Sequence, residues 1–263
     1  MKKFTLICVL LVLIGSVFAE RKALVIANSI YDGVVLSSSI ANADSMQAVL
    51  TKLEFDVQRF KNLKLAALSA AIDSFAVNIT ATDEIVFYYS GHGTNADNVN
   101  YLVPAGVNLS SSKEFSKTAY SVTQLSQKLK KAKSSIIILE ASKTWGVSGS
   151  KAVPKPFIAM AAASPNQVIV TSTQPGKTVQ NSGLSYDIFT QCLIRQIGSS
   201  EEGFNLLFPV VVGDVQAQTG KLQKPWISGS LKTDFHFVTH EMYIRWNRTF
   251  LKENIDGGGS LSW

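Results

Sequence analysis

Apolar and polar positions alternate along the chain in a way that predicts an ordered series of strands and helices. Arg21 to Ala27 is a short apolar run and reads as a buried strand. Asn28 to Ser39 is polar, holds Gly33 and reads as a loop. Ala41 to Leu53 places Met46, Val49, Leu50 and Leu53 at helical spacing. Phe55 to Phe60 reads as a second strand. Leu65, Leu68, Ile72, Phe75 and Ile79 mark another amphipathic helix. Asp83 to Tyr89 is a third strand, apolar on both faces, and Asn100 to Val103 is a short extended piece stopped by Pro104. Ser121 and Gln124 then form a capping-box pattern before a helix with Val122, Leu125, Leu129 and Ala132 on one stripe. Ser135 to Leu139 and Gln167 to Thr171 are a fourth and a fifth strand. Tyr186 to Ile197 is a helix, and Pro209 can open another that runs toward Gly220. Asp234 to Val238, with Phe235 and Phe237, reads as a sixth strand.

Apolar strands alternating with amphipathic helices predict an α/β fold. Its sheet has six mainly parallel strands with helices on both faces. No internal repeat and no clear linker is visible, so residues 20–239 read as one domain. Residues 240–263 differ in composition and read as a C-terminal extension, with Tyr243, Trp246, Phe250, three consecutive glycines and Trp263.

The first 19 residues read as a signal peptide. Lys2 and Lys3 form a basic start, Phe4 to Phe18 is a nearly unbroken apolar run of 15 residues, and Val17-Phe18-Ala19 fits the cleavage rule. The alternative is an uncleaved anchor, for which the run is short against a span of about 20 residues. Cleavage leaves no stable membrane span and places the protein in the secreted, periplasmic or extracellular space. Asn78, Asn108 and Asn247 lie in glycosylation-acceptor triplets, which matter only for a eukaryotic source.

Composition removes several function classes. Of 263 residues, 46% are hydrophobic and 17% charged, which excludes wholesale disorder. The cysteines are Cys8 and Cys192 only, and Cys8 leaves with the signal peptide, so a disulfide scaffold is excluded. Three histidines make a multi-histidine metal site a poor reading, and no metal or cofactor is implied. The net charge of +6 includes Lys2 and Lys3, and the remainder is too mild for a nucleic-acid partner.

Chemistry concentrates at two strand ends. In an open parallel sheet, sites lie beyond the carboxyl ends of the strands. The third strand ends in Ser90-Gly91-His92-Gly93, where glycines beside a histidine allow a sharp turn and leave backbone N–H groups free. The fourth ends in Glu140-Ala141-Ser142, 50 residues after His92.

On these residues the sequence resembles the caspase-like cysteine peptidases, in particular their bacterial metacaspase and paracaspase branches. Lys22-Ala-Leu-Val-Ile-Ala-Asn28 and Asn42-Ala-Asp44 are similar to the family's opening unit. The stretch from Asp83 to Gly93 is similar to its histidine strand, followed by Tyr101-Leu-Val-Pro104. Val168-Ile-Val-Thr-Ser172 and Ser185-Tyr-Asp-Ile-Phe-Thr190 resemble later segments. The spacing fits too, since the family places its Cys about 50 residues after its His.

The resemblance implies a caspase-like sandwich in which His92 is the base, Gly91 and Gly93 shape the site loop, and Ser142 stands at the nucleophile's position. It also marks departures. Glu140 stands where the family has Asp, Lys143-Thr-Trp145 replaces a small pair, and Gln180 removes an acid from the substrate pocket. Several departures together point to divergence of the whole segment rather than exchange of one atom. A thiol is partly ionised at neutral pH and a hydroxyl is not. Serine enzymes compensate with a base oriented by a third group, and the family pattern supplies none here.

Three functions follow as expectations. The first is a secreted pseudopeptidase that binds a peptide or protein partner without cleaving it. The second is an active hydrolase using Ser142 and His92. The third is an interaction module acting through the tail. Family analogy also allows a homodimer through the last strand. Among the remaining residues, Cys192 falls on an apolar helix stripe and reads as core. His236 and His240 read as solvated or core-edge residues, and the lysines of 128–133 as a solvated helix end.

Overall fold

The computed structural model describes residues 20–31, 34–109, 115–144, 155–179 and 186–256. Its framework is a six-stranded sheet. Strand β1 (Arg21–Ala27) is followed by a small hairpin of β2 (Ile30–Tyr31) and β3 (Val34–Val35), then helix α1 (Ser37–Lys52) and strand β4 (Asp56–Lys61). Next come α2 (Leu65–Val77) and β5 (Glu84–Ser90). Three short antiparallel strands follow, β6 (Gly93–Ala96), β7 (Val99–Leu102) and β8 (Tyr120–Ser121), with α3 (Phe115–Thr118) before the last. Helix α4 (Val122–Leu129) leads to β9 (Ser134–Glu140) and then β10 (Gln167–Thr171). Helices α5 (Ile188–Ile197) and α6 (Phe204–Gln218), strand β11 (Trp226–Ser230) and helix α7 (His240–Asp256) complete the chain.

The sheet order is β11-β10-β9-β5-β1-β4. All neighbours are parallel except the β10–β11 pair, which is antiparallel. Parallel strands need crossovers, and helices supply those from β1 to β4 and from β5 to β9, whereas no described helix lies between β9 and β10. Alternation along each strand divides the core. Val25, Tyr88, Ile138 and Val170 face α1, α5 and α6, whereas Leu24, Phe87, Ile137 and Ile169 face α2 and α4. Because β1, β5, β9 and β10 are buried on both faces, their sequences read as continuous apolar runs.

Several expectations need correction. The polar stretch 28–39 is not a plain loop. It holds the β2–β3 hairpin, and α1 begins at Ser37. Pro209 does not open a helix. It lies inside α6, which starts at Phe204. The ring is tolerated because Pro209 and Asn205, whose carbonyl loses its N–H partner, both sit on the solvent side. Asp234 to Val238 is not a strand. Phe235 and Phe237 instead insert into the core beside Phe55 and Phe204, and only an isolated bridge joins His236 to Gly203. The sixth strand is β11, a half-exposed edge with a weak apolar pattern.

At the end of the chain, α7 returns to the start of β1. The Arg21 guanidinium donates to the carbonyls of Leu53, His236 and Phe237, and Met242 is buried beside it. Trp246 packs on the same core and lies under the Lys52 ammonium. No described helix is long and apolar enough to cross a membrane.

Candidate active site

The site grows from the central strand pair. Strands β5 and β9 run in register up to Ser90 opposite Glu140. Backbone pairing then continues past both strands. Gly91 N donates to Glu140 O at 3.1 Å, and Gly93 N donates to Ala141 O at 2.7 Å. This pairing carries His92 and Ser142 to the same carboxyl edge of the sheet, and both are buried.

The His92 loop is held by two tyrosines. Tyr31 Oη accepts the His92 N–H at 2.8 Å and itself donates to Asn28 O at 3.0 Å. Its ring lies against the imidazole, with centroids 4.7 Å apart. Tyr89 Oη donates to Val103 O at 2.7 Å. Gly91 is required at this clamp, because a Cβ there would stand 2.6 Å from Tyr89 Oη and 2.7 Å from Tyr31 Oη. Gly93 is required for a different reason, since its Cβ would overlap the Phe157 ring. Gly91→Ala is therefore expected to separate the two hydroxyls and cost about 1–3 kcal/mol. Thermal unfolding checks this, and an unchanged Tm would show that the clamp relaxes freely.

Burial sets the charge state of His92. Desolvation, reinforced by the Lys143 ammonium, pushes its pKa down to about 3. The imidazole is neutral at physiological pH. Glu140 takes no part in orienting it. Among the described residues, its hydrogen-bonding neighbours are Thr190 Oγ1 at 3.5 Å and Ser172, both away from the His92 loop. Ser142 closes a short extended pairing on its other side, where its carbonyl accepts Val179 N–H at 2.7 Å. Gln180 and Trp145 lie outside the described residues.

Family comparison agrees with the fold. The caspase-domain model matches residues 20–236, most of the chain. The chain belongs to the caspase-domain family. A search of curated proteins finds no match.

The caspase domain holds a buried ion pair that sequence reasoning passed over. The Lys143 side chain is 1% exposed, and its ammonium contacts Asp187 Oδ2 and, at 3.4 Å, Ser38 Oγ. Ser38 Oγ also donates to Asp187 Oδ2 at 3.1 Å, and Asn42 Nδ2 donates to the same oxygen. Asn42 Oδ1 in turn accepts Asp187 N–H at 3.1 Å. Three side chains, Ser38 and Asn42 of α1 and Lys143 just past β9, thus meet around the Asp187 carboxylate at the start of α5. Two signs of this were legible. A lysine at the end of a fully buried strand needs an anion. An aspartate before an apolar helix is an ordinary N-cap, yet Asp187 makes no capping bond, because Lys143 engages it instead.

A cavity of about 480 Å³ opens beside this pair. Glu140, Thr178, Val179, Asp187, Leu222 and Gln223 contribute to its walls. Burial, and then the charge of Asp187, raise Glu140 to about 8 even though Lys143 pulls the other way. Cys192, the cysteine left in the domain, is buried on the core face of α5 with Gln218 Nε2 3.2 Å from its sulfur. His236 and His240 are exposed.

Proposed function

We propose that this caspase-domain chain is a secreted pseudopeptidase that holds a peptide or protein segment at the carboxyl edge of its sheet without cutting it. The observation that carries the reading is the pairing of the two strand ends, which brings the Ser142 hydroxyl and not a thiol to the edge that holds His92. A serine nucleophile needs a base that becomes imidazolium as it takes the hydroxyl proton, and a carboxylate normally stabilises that cation. Among the described residues, the Lys143 ammonium acts on His92 in a desolvated site. An imidazolium would form next to a like charge. Ser142 supplies a hydroxyl where the resemblance places a thiol, and Cys192 belongs to the core on another element. The N-terminal apolar run supports the secreted part of the reading.

A fluorophosphonate serine-hydrolase probe tests the proposal on the purified mature protein. No labelling of Ser142 is expected. Labelling that disappears in Ser142→Ala would overturn it. Ser142→Cys, assayed on a peptide library, separates loss of the nucleophile from loss of the cleft, because regained cleavage requires a cleft that still holds substrate.

A further inference from the structure

We infer that Asp83 is a binding site for the chain's own new N-terminus, the α-ammonium group that cleavage after Ala19 creates at Glu20. The inference rests on the secreted reading above and names what the cut does to the fold. Three observations support it.

The first is position. Glu20 N lies 3.2 Å from Asp83 Oδ1. The residue is also held through its carbonyl, which accepts the Glu84 N–H at 2.9 Å. The same nitrogen is an amide before the cut and an ammonium after it, so the pair forms without any shift of β1. The second is the state of the carboxylate. Asp83 is 1% exposed, and its Oδ2 accepts from Thr80 N at 2.8 Å and from Lys22 Nζ at 2.9 Å. Burial alone would raise its pKa, but the bonds from Lys22, Thr80 and Glu20 hold it below the usual carboxylate range. A charged acceptor therefore stands ready at the point where the cut makes a charged donor. The third is the share of positive charge. The Lys22 ammonium is divided between two carboxylates, since it also contacts Glu20 at 2.7 Å. Arg21 and Lys133 pair with Glu84 instead, at 3.6 and 3.1 Å. The new ammonium gives Asp83 a second cation. A charge-assisted hydrogen bond is about twice as strong as the neutral one it replaces. Cleavage thus tightens the start of β1 against the start of β5, and the uncut chain lacks this ion pair.

The test compares the chain that begins at Glu20 with one that keeps Ala19, each released from a cleavable fusion. Keeping Ala19 restores the neutral amide at Glu20 and moves the ammonium outward by one residue, about 3.5 Å. An opposite charge within hydrogen-bond reach raises an amine's pKa by about one unit or more. At about pH 6.5, reductive methylation of the α-amine, read by mass spectrometry, is expected to run about tenfold slower in the Glu20 chain. Its unfolding equilibrium constant, measured in urea, is expected to be about tenfold smaller by the same linkage. Both differences should vanish in Asp83→Asn. Equal methylation rates or equal stabilities of the two wild-type chains would overturn the inference, as would differences that persist in folded Asp83→Asn. If Asp83→Asn does not fold, the two wild-type chains decide.

N-terminal sequencing of the chain exported from cells that express the full sequence tests the reading beneath the inference. Glu20 is the expected first residue. An uncut chain, or a different first residue, would overturn cleavage after Ala19 and the inference with it. Glu20 in first place together with equal methylation rates would overturn the inference alone.

Discussion

Asp187→Ala is expected to cost the fold about 3–5 kcal/mol and to lower Tm by roughly 6–20 °C. The reason is the position of Lys143. Its side chain is 1% exposed, and its ammonium has Asp187 as its one anionic partner among the described residues. Removing the carboxylate leaves a desolvated cation with, among the described residues, the Ser38 hydroxyl at 3.4 Å and the buried Glu140, which must ionise against its own desolvation to help. The reverse change is milder. In Lys143→Met the charge is gone, while Asp187 keeps the Ser38 and Asn42 donors and is 12% exposed. The double variant should be more stable than Asp187→Ala alone, because no orphaned charge remains. Urea denaturation of the four proteins measures the coupling. Additivity within about 0.5 kcal/mol would show that the two groups do not act as a pair.

The outcome bears on the proposed loss of hydrolysis. A buried pair with a tethered lysine fixes charge at the strand ends permanently. It joins α1, β9 and α5, the elements that frame the cavity, and it also places a positive charge near His92. Lys143 thus organises the edge of the sheet and, on the proposed reading, opposes the imidazolium that hydrolysis by Ser142 would require.

Legibility followed burial. Strands β1 and β10 have the boundaries their apolar runs predict, and β5 and β9 differ only at their ends. These strands are buried on both faces, so their pattern has no competing demand. β11 was missed because an edge strand with Ser228, Gly229 and Ser230 carries little apolar signal. Phe235 and Phe237 misled because alternation also suits a loop that inserts two rings into a core. His92 and its glycines were legible because turn chemistry is local. Tyr31 was not, since it lay in a stretch read as loop, although its hydroxyl holds the His92 backbone. The partnership of Lys143 with Asp187 was not legible either. The two are 44 residues apart, and only the parallel order of the strands brings them together.

Stability should form a plateau between about pH 4.5 and 6.5 and fall by about 2 kcal/mol on each side. Two buried groups act in opposite directions. His92 has its folded pKa lowered from 6.5 to about 3, chiefly by desolvation and further by Lys143. Its contribution is fully present above pH 6.5 and is lost as pH falls toward 3. Glu140 has its folded pKa raised from 4.5 to about 8, by desolvation and the nearby Asp187 charge, against Lys143. Its contribution is fully present below pH 4.5 and is lost as pH rises toward 8. Between 4.5 and 6.5 the two slopes cancel. Below that window His92 remains, joined below 3.8 by Asp83, which bonds to Lys22 and Thr80 hold down despite its desolvation, and by the half-buried Asp214, held down by Arg195 and Gln196. Above the window Glu140 alone remains. Urea denaturation across pH 3–9 in His92→Asn and Glu140→Gln assigns each limb. His92→Asn should replace the plateau with a continuous decline from pH 4.5 to 8, and Glu140→Gln should remove the alkaline limb. An alkaline limb that persists in Glu140→Gln would place the titrating group elsewhere and free Glu140 to carry charge at the cavity wall. The cavity would then favour a cationic group at neutral pH, so the same titration also bears on what the site can hold.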